Sequence, residues 1–174
     1  KDSETFDVVV ERAKVPLESI KESRILPSGY GYIRISDFKE NTASDIKKNI
    51  REMLDKGMKG LILDLRWNPG GLLTASQQVC ELFLPKDSLV TYTRSRGQLT
   101  QENGKDLELK TREKPILPLN MPMILLVNSQ TASSSEIVTG ALQYHQRALV
   151  IGEKTFGKGS VQTIIPLPPK NETA

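Results

Sequence analysis

Three short apolar runs constrain the fold more than anything else in the chain: Gly60-Leu61-Ile62-Leu63-Asp64-Leu65-Arg66, Met123-Ile124-Leu125-Leu126-Val127 and Ala148-Leu149-Val150-Ile151. Each is too short for a stable helix and nearly continuous in apolar residues, the pattern of a strand buried in a parallel sheet. Between them the periodicity changes. Ile46, Ile50, Met53 and Leu54 recur at helical spacing in a segment that Asn41 or Thr42 can cap and that ends near Lys56, before Gly57 and Gly60. Leu72 to Phe83 and Ser133 to Tyr144 read as two further helices, and Tyr30 to Ile35 alternates with the period of a strand. The expectation is an α/β fold of β-α-β units. Residues 93–113 form a polar excursion of strands or loop, with turns at Arg96-Gly97 and Asn103-Gly104, and Val161 to Ile165 reads as one more strand. With 174 residues, 37% of them hydrophobic, the chain can bury one core. Residues 16–174 are expected to supply it, while residues 1–15, with Val8-Val9-Val10 ahead of Pro16, read as a strand and linker of a preceding domain.

Charge and composition exclude several classes of function. The net charge of +3 comes from 24 basic and 21 acidic residues without a block of one sign, and aromatics are few, which argues against a nucleic-acid partner. A single cysteine, Cys80, and a single histidine, His145, give no internal disulfide and no cluster for a metal. Cys80 lies in an amphipathic run and reads as a small buried hydrophobe, and His145 as a helix-end residue. A Ser-His-Asp triad would depend wholly on that one histidine. Hydrolytic chemistry therefore needs another base.

Thr131-Ala132-Ser133-Ser134-Ser135-Glu136-Ile137 opens the last helix, and Lys158 follows twenty-five residues after Ser133 within Phe156-Gly157-Lys158-Gly159-Ser160-Val161-Gln162. A serine at a helix threshold is either an N-cap or a nucleophile beside unpaired N–H groups that can hold an oxyanion. A lysine between two glycines is either a solvated residue of a turn or, once desolvated so that its amine is free, a general base. Gln162, four residues on, would share a face with Lys158 in a strand and could orient the amine. Asn68-Pro69-Gly70-Gly71 breaks the chain at the carboxyl end of a strand, where ligands of parallel sheets bind, and bare glycine N–H groups there can meet a carbonyl oxygen. Asp64 and Arg66 flank that strand end as a candidate ion pair. Gly152 to Gly159 nearly spells a phosphate-binding loop, but position 159 is glycine where a hydroxyl must hold magnesium, and a strand is expected where the motif needs a helix.

Taken in order, Tyr30-Gly31-Tyr32-Ile33-Arg34-Ile35, Leu63 to Leu72, Ser133 to Ile137, Arg147 to Gly152 and Thr155 to Gln162 match one pattern, and the sequence resembles the carboxy-terminal processing peptidases, also called tail-specific proteases. The resemblance implies a core related to the crotonase and Clp protease folds and an endopeptidase working through a Ser-Lys dyad extended by glutamine. By position, Ser133 is the nucleophile, Lys158 the general base and Gln162 its orienting partner. The oxyanion donors are the backbone N–H groups of Ser134 and of Gly70 or Gly71. The family usually has alanine where this chain has Ser134, and Ser-Ala where it has Thr131-Ala132. The serine cluster leaves Ser134 and Ser135 as other candidates, although spacing to Lys158 favours Ser133. The resemblance further implies no metal or organic cofactor, a polypeptide substrate with an unstructured C-terminus, an adaptor or second copy as further partner, and an extracytoplasmic location. Residues 1–15 would be the last strand of a PDZ domain, and the core would lack its C-terminal end. The alternative is a peptide-binding member of the same fold that is non-catalytic or inactive at rest.

Overall fold

The computed structural model describes residues 8–9, 18–94 and 107–160. Strands β1 (Ile20–Ile25), β2 (Gly31–Ile35), β3 (Leu61–Asp64), β6 (Met123–Val127) and β7 (Leu149–Gly152) form one five-stranded sheet in the order β1-β2-β3-β6-β7. β1 and β2 are antiparallel, and the remaining pairs are parallel. Parallel neighbours need crossovers, and the helices supply them: α1 (Thr42–Asp55) between β2 and β3, α2 (Leu73–Glu81) between β3 and β6, and α3 (Ser134–Tyr144) between β6 and β7. Strands β4 (Leu89–Thr93) and β5 (Leu107–Lys110) make a separate antiparallel pair on the way from α2 to β6.

The register explains which residues are buried. Ile33, Leu63 and Leu125 lie side by side across β2, β3 and β6 and are inaccessible to solvent, as are Ile46 and Ile50 of α1, Val79 of α2 and Val138 and Leu142 of α3. α1 packs on α2 and α2 on α3, so the three helices form one layer over this face. The opposite face differs from the fully buried strands that the apolar runs predict. Ile62, Ile124 and Leu126 are only half-buried, and Leu149 and Ile151 are exposed at the β7 edge.

Three expected helices and the strands β2, β3, β6 and β7 lie where the sequence places them. The polar excursion contains β5 and follows β4. β1 has no counterpart among the expectations: Ile20-Lys-Glu-Ser-Arg-Ile25 carries three charges and lacks an apolar run, yet pairs with β2 as an edge strand, where charge is tolerated. The expected strand around Val8 and Val161 to Ile165 fall, but for Val8 and Val9, outside the described residues.

Candidate active site

Two loops leave the carboxyl ends of adjacent parallel strands and meet. The turn after β3 carries Asn68, Gly70 and Gly71, and the turn after β6 leads through Thr131 to Ser133 at the N-cap of α3. They are sewn together residue by residue. Thr131, fully buried, donates its hydroxyl to the Leu65 carbonyl at 2.9 Å. Ala132 N–H and the Ser135 hydroxyl both donate to the Asn68 carbonyl, at 3.0 and 3.1 Å, and Trp67 N–H donates to Asn128 Oδ1 at 3.0 Å. Ser135 is thereby a buried structural hydroxyl.

Gly70 lies so close to the start of α3 that a Cβ there would fall 2.7 Å from Ser133 Cβ and 2.9 Å from Ser134 N. At Gly71 a Cβ would fall 2.1 Å from the Phe38 carbonyl oxygen, and its φ of +148° is reached readily only by glycine. The glycines thus let backbone meet backbone, as their place at the strand end suggests. Ser133 has φ +56° and ψ −120°, a sparsely populated conformation for a residue with a side chain. Such conformations cost about 1–3 kcal/mol and persist where the surroundings enforce them. A strained serine between a strand and a helix is the geometry of a nucleophile elbow. The N-cap and the elbow coincide in one residue, so capping and nucleophile roles are compatible at Ser133.

The enforcing group is Glu136. Its carboxylate accepts the Ser133 N–H at 2.8 Å, the Thr155 hydroxyl at 2.8 Å, the Lys158 N–H at 2.9 Å and also the Gly157 N–H. Burial pushes the Glu136 carboxyl up, and these four donors outweigh it and hold the group below the usual glutamate range. Phe156 N–H donates to the Thr131 carbonyl at 3.0 Å, adding a second tie between the loop after β7 and the elbow. The Lys158 backbone is therefore fixed against the serine turn, while its side chain is exposed, and no described hydrogen bond joins it to Ser133. Gln162 lies outside the described residues. Sequence reasoning gave Glu136 no role, although Ser133-x-x-Glu136 carries the signature of a capping box.

Asp64 and Arg66 pair as expected. Asp64 is fully buried and accepts from Arg66 at 2.7 and 3.0 Å and from the Tyr32 hydroxyl at 2.6 Å. Burial raises its carboxyl, but these donors bring it below the usual aspartate range, so it stays ionised. His145 ends α3, and its Nε2 meets the Leu89 carbonyl at 2.8 Å, which anchors β4. Cys80 is buried, and burial pushes its thiol up and keeps it unreactive. Residues 153–160 form no helix after the near phosphate-loop sequence.

Residues 29–174 match the description of peptidase family S41. The carboxy-terminal-processing protease of Bartonella bacilliformis is 42% identical over 167 residues, covering 93% of this chain and 36% of that protein. The carboxyl-terminal-processing protease of Synechocystis is 43% identical over 137 residues, covering 79% of this chain and 30% of that protein. Among solved structures, the photosystem II D1 C-terminal processing protease superposes with a TM-score of 0.70 at 29% identity, covering 90% of this chain and 42% of that one. The chain thus spans about a third of the length of the curated relatives it matches.

Proposed function

From the premise that the chain belongs to peptidase family S41, we propose that the protein is a serine endopeptidase of the tail-specific type, cleaving unstructured C-terminal regions of polypeptides with Ser133 and Lys158. The observation that carries this reading is the Glu136 carboxylate, which ties the backbone of Ser133 to that of Lys158, twenty-five residues away. In the reaction the free amine of Lys158 takes the Ser133 proton as Oγ bonds to the scissile carbonyl carbon. The C–N bond then breaks as Lys158 returns the proton to the departing amine, and water hydrolyses the remaining ester. Gln162 orients the amine, and backbone N–H groups of Ser134 and of Gly70 or Gly71 hold the oxyanion. An extracytoplasmic setting, a preceding PDZ domain, and an adaptor or second copy as partner belong to the same reading.

The exposure of the Lys158 side chain favours a second reading, in which the dyad rests unassembled until a substrate tail arrives. Casein hydrolysis by the full-length protein, beside Ser133→Ala and Lys158→Ala, tests the first. Both variants should lose at least about 1,000-fold in rate while remaining folded. Cleavage by either variant at the wild-type rate would remove that residue from the mechanism. A serine-directed covalent probe tests the second: labelling that requires added substrate peptide supports a resting-inactive dyad, and equal labelling without peptide refutes it.

A further inference from the structure

An acyl-transfer site needs N–H donors with no partner of their own, aimed where the oxyanion forms. The Gly70-Gly71 turn has four backbone polar groups, and three are engaged. Gly70 N–H donates to Asn68 Oδ1 at 2.9 Å, the Gly70 carbonyl accepts Phe38 N–H at 2.9 Å, and the Gly71 carbonyl accepts the Ser134 hydroxyl at 2.9 Å. Among the described residues, Gly71 N–H and Ser134 N–H have no partner. Their direction follows from the pairing. Phe38 bridges Gly71 in parallel fashion, bonding Gly70 and Leu72 on either side, so the N–H and carbonyl of Gly71 both point away from Phe38. The carbonyl on that side is met by Ser134, so the Gly71 N–H faces the beginning of α3, beside Ser133.

Resting on the peptidase reading above, we infer that Asn68 is the positioning residue of the oxyanion site: its side chain withdraws the Gly70 N–H and leaves Gly71, with Ser134, to donate. Asn68 suits this role because every polar atom it has is committed. Nδ2 donates to the Ile35 carbonyl at 3.0 Å, its own carbonyl accepts from Ala132 and Ser135, and the residue is inaccessible to solvent. The amide orientation is fixed by chemistry, since Gly70 N–H can only donate and the Ile35 carbonyl can only accept. One side chain thus joins the end of β2, the glycine turn and the start of α3. The Ser134 hydroxyl, where the family usually has alanine, adds a second hold on the Gly71 carbonyl.

The test uses the full-length protein and a peptide boronate, which forms a tetrahedral adduct on a reactive serine. Asn68→Ala should lower kcat by about 100-fold with KM changed less than about threefold, the size of losing one oxyanion donor. Boronate affinity should fall with kcat, while the matching uncleaved peptide should bind Ser133→Ala and Ser133→Ala/Asn68→Ala alike. Equal loss of boronate and peptide binding, or loss of neither, would overturn the role. Because Asn68→Ala removes buried bonds and could unfold the site, the wild-type protein labelled with 15N-glycine provides an independent reading. Boronate should move the Gly71 amide resonance and leave Gly70 in place, and the reverse overturns the assignment. A wild-type protein that neither cleaves casein nor takes the boronate overturns the peptidase reading and this inference with it. One that does both while Gly70 moves overturns the inference alone.

Discussion

Ser133 and Lys158 are the residues a reader of the sequence would pick, but Glu136 is the one that sets both. A carboxylate facing only neutral donors is ionised without forming an ion pair with the base, so it can hold the Lys158 loop without keeping the lysine ammonium as its counter-ion. Its charge has a consequence for pH dependence. The folded-state pKa of Glu136 is depressed, so its contribution to stability is fully present above the unfolded value of about 4.3 and is lost as pH falls through the folded one. Glu136→Gln should therefore be less stable than wild type at pH 7, and the gap in urea midpoint should shrink below about pH 4. A gap that stays constant down to acid pH would show that the carboxylate's charge is not what holds the loop. The sequence made Glu136 visible as a helix cap, and only the arrival of residues 155–158 at its other oxygen gives it the wider role.

At the scale of elements, the sheet and helices followed from pattern because their signals are local: apolar runs for β3, β6 and β7, and 3.6-residue spacing for α1. β1 escaped because an edge strand needs apolar contact only at some positions, and its identity comes from its register with β2. The turn between β3 and α2 shows the opposite case, where the glycines announce a tight bend and the packing explains its severity. Gly71→Ala places a Cβ against the Phe38 carbonyl, a backbone atom that cannot rotate away. The substitution should destabilise by about 3 kcal/mol or more, seen as a lower urea midpoint with unchanged slope. A cost under about 0.5 kcal/mol, typical of an unconstrained surface site, would mean that the bridge between Phe38 and Gly71 is not maintained in solution.

In the whole molecule, a few polar side chains join distant parts of the layer. Arg147, after α3, donates to the carbonyls of Phe83, Met121 and Pro118 at 3.1, 3.0 and 3.2 Å, tying the end of α2 to the approach to β6. Burial lowers its pKa without neutralising it. Arg147→Met keeps the apolar stem and leaves three carbonyls without this donor, so it should cost about 2–4 kcal/mol in urea unfolding. Retention of wild-type stability would mean that water replaces the guanidinium. By itself the sequence determined the α/β architecture, the candidate residues and the family, because apolar period, glycine placement and ordered motifs are written locally along the chain. Tertiary structure alone decided that the second sheet face is only partly covered, that Ser135 is structural, and that Gly70 N–H is occupied while Gly71 N–H is not. Each of these depends on a partner far away in sequence. Hydrogen-bond satisfaction is a property of pairs, and residue type states what a group can bond to without stating which group reaches it first.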